Sequence, residues 1–342
     1  MLPAKPKIFH GRESELTDIL KLFYQGTPKI AILGAGGMGK TSLASAVQHD
    51  EEVTIKYQGN RFFVACDTAA SKVELAGLIG THLRMKPGGD LTQAVLHYLS
   101  EGPPTLLVLD NLETVWEPVE SRKEIEEFLS LLTDIASPAL IITMRGTERP
   151  SKVQWTHPFL LPLQPLSQEA AQRMFLDIAD DQHLMEEVDQ LLSLTGNMPL
   201  SINLLAHMVD AEGCTKILSR WHREKTSVIS VGYDRRSNLE LSISLSLASP
   251  RITSVPYSAE LLSLLSILPD GLPDVELKQS DFAILNVLDC KRALVRTALA
   301  YTDDYKWLQA LVPIREYMRR FSPPADNMIR PLFKHFQELL DL

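Results

Sequence analysis

The sequence has few cysteines, no excess of basic residues and no long apolar run. Its three cysteines, Cys66, Cys214 and Cys290, are far apart and show no metal-ligand spacing, which is typical of a reducing compartment. The 34 basic and 43 acidic side chains give a formal net charge of −9, which argues against a mainly electrostatic binder of nucleic acid or anionic membrane. No apolar run approaches the roughly 18 residues of a membrane-spanning helix, and the first residues lack the pattern of a signal peptide. We therefore expect a soluble, cytoplasmic protein without a membrane segment.

The composition that is present is ordinary for a globular protein. Hydrophobic residues make up 45% and charged residues 23% of the 342 residues, which excludes a disordered or low-complexity chain. A chain of this length exceeds what one hydrophobic core usually organises, so we expect two or three domains.

The first half of the chain alternates short apolar runs with helical patterns. This alternation predicts an α/β domain whose parallel sheet is covered by helices on both faces. The predicted strands are residues 29–33, 61–67, 105–110, 139–144 and, as a fifth, 159–163. The predicted helices are residues 40–49, 73–83, 91–99 and 121–135.

The alternation ends near Pro165, and helical patterns dominate the second half. Ser167 is placed to cap the first of these helices, and residues 225–237 have the composition of a connector. The last third predicts helices, a small two-stranded wing and a short helix, which together suggest a winged-helix domain. These elements are residues 238–247, 258–268 and 281–298 (helices), 298–302 with 307–312 (wing), and 313–320 (short helix).

One glycine-rich segment matches the phosphate-binding P-loop in spacing and in position between a strand and a helix. Its glycines let backbone N–H groups turn toward phosphate oxygens at a helix N-terminus. Lys40 would bind the β- and γ-phosphates, and the hydroxyl of Thr41 would bind Mg²⁺. The candidate nucleotide-binding residues of the loop are Gly34, Gly36, Gly37, Met38, Gly39, Lys40, Thr41 and Ser42.

The ends of two other predicted strands supply the remaining candidate catalytic residues. Asp110 follows an apolar strand and is the expected second protein ligand of Mg²⁺, together with Thr41. Many P-loop ATPases place a second acid next, but here that residue is Asn111, so Glu113 is either the water-activating acid or a solvated loop residue. Arg145, at the end of another strand, would contact the γ-phosphate and distinguish ATP from ADP. We expect slow ATP hydrolysis at most.

In this order, the motifs resemble the NB-ARC class of signal-transducing (STAND) P-loop NTPases, the central module of NOD-like receptors. The resemblance extends over about residues 8–322 and depends on residues 9–13, the P-loop, 106–110, 143–145, 163–166 and 196–200. Residues 62–67, 112–116 and 266–271 look most like the fungal receptors of this class.

The resemblance implies three domains and a nucleotide-dependent switch. It implies an α/β nucleotide-binding domain at residues 1–162, a helical domain at 163–228, a winged-helix domain at 229–322 and a C-terminal helix at 323–342. By resemblance, Gly11 and Arg12 lie near the adenine and Pro199 packs on it. The ADP-bound form would be closed, and ATP with Mg²⁺ would favour an open form that self-associates. The chain would be either a fragment or an adaptor-like central module, with unknown sensor and effector regions or partners.

One residue departs from the family pattern. The winged-helix domain of the family usually offers a histidine to the ADP β-phosphate, whereas this chain has Val312 at that position, and valine cannot donate a hydrogen bond. We expect the closed state either to be held by other contacts or to be held less firmly.

Two other functions remain open from the sequence. A STAND-type transcriptional regulator would bind DNA through its winged helix, but residues 235–322 contain 11 basic and 10 acidic side chains, so nucleic acid is not an expected partner. A fast, mechanical AAA-like ATPase is disfavoured by Asn111 and by the absence of an evident arginine finger.

Overall fold

The computed structural model describes residues 2–86, 91–180, 182–224, 239–279, 284–303 and 306–340. Contacts divide the chain into two compact units. The first unit contains the residues up to 34 together with 39–164, and the second contains residues 35–38 and those from 165 onward.

The first unit alternates strands and helices as the sequence predicts. Its elements are α1 (Glu13–Gln25), β1 (Lys29–Gly34), α2 (Lys40–Gln48), α3 (Glu51–Tyr57), β2 (Arg61–Ala65), α4 (Lys72–His82), α5 (Leu91–Glu101), β3 (Leu106–Asp110), α6 (Glu113–Trp116), α7 (Val119–Asp134) and β4 (Ala139–Arg145). Side-chain caps mark where some helices begin. Ser71 accepts a hydrogen bond from the backbone N–H of Glu74 at the start of α4.

The four strands form one parallel sheet in the order β1-β4-β3-β2. In the register, Leu33 lies opposite Met144, and Leu109 lies opposite both Val64 and Ile142. Strands β1 and β3 are buried along their whole length, because helices cover both faces of a parallel sheet. Since parallel strands end at the same edge, this topology brings the last residues of β1, β3 and β4 together.

The predicted fifth strand at residues 159–163 is wrong. Only Leu163 forms a bridge, to Gly34, and no strand is assigned elsewhere in this described segment. Pro158 and Pro162 lack the backbone N–H that a ladder needs, so this segment covers the edge of β1 without joining the sheet.

The second unit is mostly helical. Its elements are α8 (Gln168–Ala179), α9 (Met185–Thr195), α10 (Pro199–Glu212), α11 (Cys214–Glu224), α12 (Leu239–Leu247), α13 (Pro250–Thr253), α14 (Ser258–Ser266), β5 (Leu272–Pro273), α15 (Asp274–Gln279), α16 (Val287–Arg296), β6 (Tyr301–Thr302), β7 (Trp307–Gln309), α17 (Val312–Phe321) and α18 (Asp326–Leu340). As predicted, Ser167 caps α8 by accepting a hydrogen bond from the backbone N–H of Ala170.

A small antiparallel sheet lies between α14 and α17 in the chain, with the strand order β5-β7-β6. Its two later strands are shorter than the predicted wing. Ala298 is left-handed with φ of 56°, so β6 starts after it, and β7 ends before Val312, where α17 begins. Helix α16 begins later than predicted, after Asn286, which is also left-handed. The predicted connector at 225–237 lies outside the described residues. Within the described part of the chain, no helix has both the length and the apolar character needed to cross a bilayer.

Helix α7 offers a direct test of the core of the first unit. Leu129 is fully buried, whereas Leu131, two residues later on the same helix, is 48% exposed. Leu129→Ala should lower the free energy of unfolding by about 2–5 kcal/mol in urea denaturation, because it removes buried methyl groups and leaves a cavity. Leu131→Ala, the matched control, should change it by less than about 1 kcal/mol. Equal losses in the two variants would contradict the burial of this face.

Candidate functional site

The P-loop begins and ends at glycines that no other residue replaces without strain. Gly34, the last residue of β1, has φ of 146°, and a Cβ atom there would lie 3.0 Å from the carbonyl oxygen of Leu163. Gly39 has φ of 86° and is the residue before α2. Both conformations favour glycine, so the sequence pattern of the loop has a steric cause.

Lys40, the first residue of α2, is buried with only 7% of its surface exposed. Its Nζ donates a hydrogen bond to the carbonyl oxygen of Gly34 at 3.0 Å. Burial lowers the pKa of Lys40 to about 8, an effect opposed by the carboxylates of Glu113 and Asp110 and reinforced by Arg145. A buried ammonium at the start of a helix is suited to an anionic ligand such as phosphate.

Asp110 is fully buried at the end of β3 and accepts hydrogen bonds from two hydroxyl groups. Thr41 donates from Oγ1 to Oδ1 at 2.8 Å, and Thr143 of β4 donates from Oγ1 to the same oxygen at 2.6 Å. Thr41 and Asp110 thus present hydroxyl and carboxylate oxygens side by side. Oxygen donors of this kind are what Mg²⁺ prefers, so these residues fit the ion that the sequence predicts.

Asn111 follows Asp110 in a left-handed conformation with φ of 57°. Its backbone N–H donates to Oγ1 of Thr143 at 3.0 Å, and its side-chain amide donates to Oδ1 of Asp67 at 3.1 Å. Asn111 therefore links the ends of β2, β3 and β4.

Glu113 and Arg145 form an ion pair. The Nε atom of Arg145 lies 3.3 Å from Oε1 of Glu113, and the backbone N–H of Arg145 donates to Oε2 at 3.3 Å. The two side chains are 12% and 7% exposed, so solvent screens this pair little. Glu113 is thus a buried partner of Arg145, which removes the alternative of a solvated loop acid.

Residues 35–38 of the loop belong to the second unit, where they contact the start of α10. The backbone N–H of Leu200 donates to the carbonyl oxygen of Gly37 at 3.1 Å. A Cβ atom on Gly37, whose φ is 80°, would lie 2.9 Å from Cβ of Leu200. Met38 is buried, and Pro199 is buried in the first turn of α10.

The other residues predicted for the site lie as follows. Gly11 has φ of 68°, and the guanidinium of Arg12 donates to Glu15 at 3.1 Å and to the carbonyl oxygen of Gln164. Gly36 lies in the turn of the loop and Ser42 is exposed. In the second unit, Val312 is the first residue of α17, and its backbone nitrogen is 3.6 Å from where a Cβ atom of Gly196 would lie.

Sequence reasoning missed Thr143 and Asp67 as parts of this site. The signal for Thr143 was its position two residues before Arg145, since alternate residues of a strand point to the same face. Asp67 follows β2, and the end of β2 lies at the same edge of the sheet as the ends of β3 and β4.

The model of the family described as Novel STAND NTPase 1 (nSTAND1) matches residues 3–235, which is more than half of the chain. The chain belongs to this family. The P-loop and the buried Lys40 of this STAND NTPase therefore form part of a nucleotide-binding site.

Two plant proteins are similar in sequence to this STAND NTPase. The putative disease resistance protein RGA4 of Solanum bulbocastanum is 29% identical over 162 residues, which cover 45% of this chain and 16% of that protein. Disease resistance protein RGA2 of the same plant is 26% identical over 221 residues, which cover 59% of this chain and 22% of that protein. The chain thus spans less than a quarter of the length of either relative.

Three solved structures of archaeal proteins have a similar fold. The Walker-type ATPase PABY2304 of Pyrococcus abyssi has a TM-score of 0.64 at 10% identity, covering 93% of this chain and 98% of that one. The ORC2 protein of Aeropyrum pernix, solved as ADPNP–ADP complexes, has a TM-score of 0.52 at 13% identity, covering 100% and 97%. The ORC1 protein of the same organism, solved with DNA, has a TM-score of 0.51 at 14% identity, covering 96% and 95%. At these identities the likeness shows the P-loop ATPase fold alone.

Thr143→Val tests the support of the Asp110 carboxylate in this STAND NTPase. The variant keeps the shape of the side chain but removes the donor to Asp110 and the acceptor for the backbone of Asn111. It should lower the free energy of unfolding by about 1–3 kcal/mol, measured by urea denaturation.

Thr133→Val is the matched control, because the hydroxyl of Thr133 bonds only carbonyl oxygens of its own helix, those of Leu129 and Ser130. It should change the free energy of unfolding by less than about 0.5 kcal/mol. If the two variants lose the same stability, the hydroxyl of Thr143 does not support Asp110.

Proposed function

We propose that this protein is a nucleotide-dependent signalling switch that binds ADP and, with Mg²⁺, ATP. The ion pair between Arg145 and Glu113 is the observation that carries the proposal. Arg145 is a cation at the phosphate-binding edge of the sheet, and an internal carboxylate neutralises it. A γ-phosphate would compete with that carboxylate for the same guanidinium, which makes the pair sensitive to the difference between ATP and ADP.

The residues of the P-loop would bind the phosphates common to both nucleotides. The buried Lys40 ammonium would pair with phosphate oxygens, and the backbone around Gly39 would donate hydrogen bonds. Thr41 and Asp110 would hold Mg²⁺, which neutralises phosphate charge when bound. Most of these contacts serve phosphates that ADP and ATP share, so we assign the main part of the discrimination to Arg145.

Glu113 would act differently when it is paired with Arg145 and when it is released from Arg145. While paired with Arg145, it is a poor acceptor for the proton of a water molecule. Release from Arg145 would make it available as a general base, so the same exchange would couple ATP recognition to slow hydrolysis. In this proposal hydrolysis resets the switch.

The free energy that nucleotide contacts supply is too small to drive the switch without a further interaction. A charge-assisted hydrogen bond contributes about 1.5–3 kcal/mol. Moving an equilibrium from 1:99 to 99:1 requires about 5.5 kcal/mol of differential binding. One contact from Arg145 is therefore insufficient, and we expect self-association of the ATP form or a sensor partner to supply the rest.

The second unit would contain the helical and winged-helix domains of the switch, at residues 163–228 and 229–322, after a nucleotide-binding domain at 1–162. Helix α14 packs against α16 and α17, and β6 pairs with β7 as a short hairpin. This order of helices and hairpin supports a winged helix. Gly11, Arg12 and Pro199 stay proposed adenine neighbours, and Val312 stays the position where the family's histidine is replaced.

Contacts of the arginines of α17 give no support to the alternative of a DNA-binding regulator. Arg319 donates to the carbonyl oxygen of Ser266 at 2.7 Å and pairs with Glu316 at 2.8 Å. Arg320 pairs with Glu240 at 3.2 Å. Cations committed to internal partners contribute less to phosphate binding, so we retain the signalling switch.

Lys40→Ala tests the nucleotide site itself. Removing the ammonium should lower the affinity for both ADP and ATP at least about 100-fold in isothermal calorimetry, because several phosphate contacts depend on it. Lys21→Ala, which removes a side chain that is 62% exposed on α1, is the control and should bind both nucleotides normally. ADP binding by the Lys40→Ala variant at unchanged affinity would overturn the assignment of the P-loop.

If Arg145 exchanges Glu113 for a γ-phosphate, substitutions of Arg145 and of Glu113 should have opposite effects on the preference for ATP. Arg145→Ala should weaken ATP about 10–100-fold and leave ADP affinity nearly unchanged. Glu113→Gln should do the reverse and increase the preference for ATP, because the guanidinium no longer has a competing carboxylate.

Calorimetric titration of each variant with both nucleotides, in Mg²⁺, provides the measurement. Arg122→Ala is the control. It also removes a guanidinium from the first unit, but this one stacks on Trp116 at 4.1 Å and is not the partner of Glu113. A Glu113→Gln variant whose ATP preference falls would refute the exchange.

A further inference from the structure

A cavity of about 440 Å³ lies within the first unit, away from the P-loop. It is lined by one face of α1, the start of β1 and the segment 149–164 that covers the edge of that strand. Pockets that hold small ligands measure roughly 300–1,000 Å³, so this cavity has the size of a binding site. We call it the α1 cavity.

Most of the lining of the α1 cavity is apolar. Ile19 and Leu22 of α1 face Trp155, Pro158 and Phe159 of the covering segment. Phe159 remains 44% exposed in the wall of this partly open apolar space. An apolar ligand body would bury this ring and remove water from the wall of the cavity.

Three of the four charged side chains of the cavity have internal partners. Glu15 pairs with Arg12 at 3.1 Å, and Asp18 pairs with Lys21 at 2.8 Å. Lys29 donates its ammonium hydrogens to the carbonyl oxygens of residues 135 and 138. The two acids of α1 are thus paired with cations, and the ammonium of Lys29 is hydrogen-bonded to carbonyl oxygens.

The fourth charged residue, Arg149, has no carboxylate partner in the part of the chain that the structure describes. Its guanidinium lies 4.1 Å from the centre of the Phe159 ring, and the ring of His157 stacks on Phe159 at 4.1 Å. Burial lowers the pKa of Arg149, which means that its charge is partly desolvated without compensation. A planar guanidinium fixed on an aromatic ring is well suited to a carboxylate.

We propose that the α1 cavity binds a compact hydrophobic carboxylic acid, whose carboxylate pairs with Arg149 and whose apolar body lies between α1 and Trp155. The lining contains neither the P-loop residues nor Asp110, Glu113 or Arg145, so this site is distinct from the nucleotide site. It does not depend on the proposed function.

A ligand in the α1 cavity could affect the nucleotide site through the segment 149–164, which belongs to the same unit. Arg149 follows β4 by four residues, and Leu163 at the far end of the covering segment donates its N–H to the carbonyl oxygen of Leu33 at 2.8 Å. A ligand that orders this segment would therefore act on the strand that leads into the P-loop.

The experiment uses a matched pair of probes, 2-naphthylacetate and its neutral amide, 2-naphthylacetamide, titrated into the full chain by calorimetry. The two probes share an apolar body and differ in the group offered to Arg149. The carboxylate should bind at least about tenfold more tightly than the amide, as expected for one charge-assisted hydrogen bond. Equal affinities, or no binding of either probe at millimolar concentration, would overturn the proposal without a need for any variant.

Arg149→Met then tests the assigned partner. The variant should lose the preference for the carboxylate and still bind the amide, because methionine preserves the apolar wall. Arg173→Met on α8 is the matched control and should behave as the unaltered chain. A preference for the carboxylate that survives in Arg149→Met would refute the role of Arg149.

Analytical ultracentrifugation tests whether a second copy of the chain occupies the cavity instead. If the chain dimerises and Leu161→Asp, at a rim residue that is 81% exposed, abolishes the dimer, then a second copy fills the cavity and the small-molecule proposal is wrong. We expect the probe affinities to be independent of protein concentration.

Discussion

The candidate site depends on one buried charge, the carboxylate of Asp110. Burying an ionised group is costly unless other groups in the protein compensate it, and here the hydroxyls of Thr41 and Thr143 do so from two different elements. The parallel register makes this possible, because it places the end of β4 beside the end of β3, and α2 packs against both strands. The requirement to satisfy Asp110 therefore fixes α2, the helix that follows the P-loop, relative to the sheet.

Charge balance at the same edge explains how the site responds to a ligand. Lys40 and Arg145 contribute two cations, and Asp110 and Glu113 contribute two buried carboxylates, so these four groups together have no net formal charge. A polyphosphate adds negative charge to this balanced set. It therefore needs a cation of its own, which Mg²⁺ supplies, or it must draw a cation away from a carboxylate. The proposed switch uses the second route at Arg145.

Much of this architecture follows from local sequence patterns, and the rest depends on contacts between distant residues. The four apolar strands at 29–33, 61–67, 105–110 and 139–144, the strand–loop–helix context of the P-loop and the cap at Ser167 carry local signals, and the structure confirms them. The ion pair of Glu113 with Arg145 joins residues 32 positions apart, so only the sheet order could place them together. The apolar run at 159–163 has the composition of a strand, but Pro162 within it and Pro158 before it lack the backbone N–H that a ladder needs. The likeness to fungal receptors stays a prediction, since the relatives described above are plant proteins.

Identification of the nucleotide that remains with the purified protein tests the central claim most directly. The protein would be denatured by heat, and the released small molecules would be separated by anion-exchange chromatography against ADP and ATP standards. The account predicts stoichiometric ADP, because Lys40 and the P-loop backbone bind the phosphates that ADP retains. A protein that carries no nucleotide and also takes up none when incubated with ADP or ATP and Mg²⁺ would contradict it.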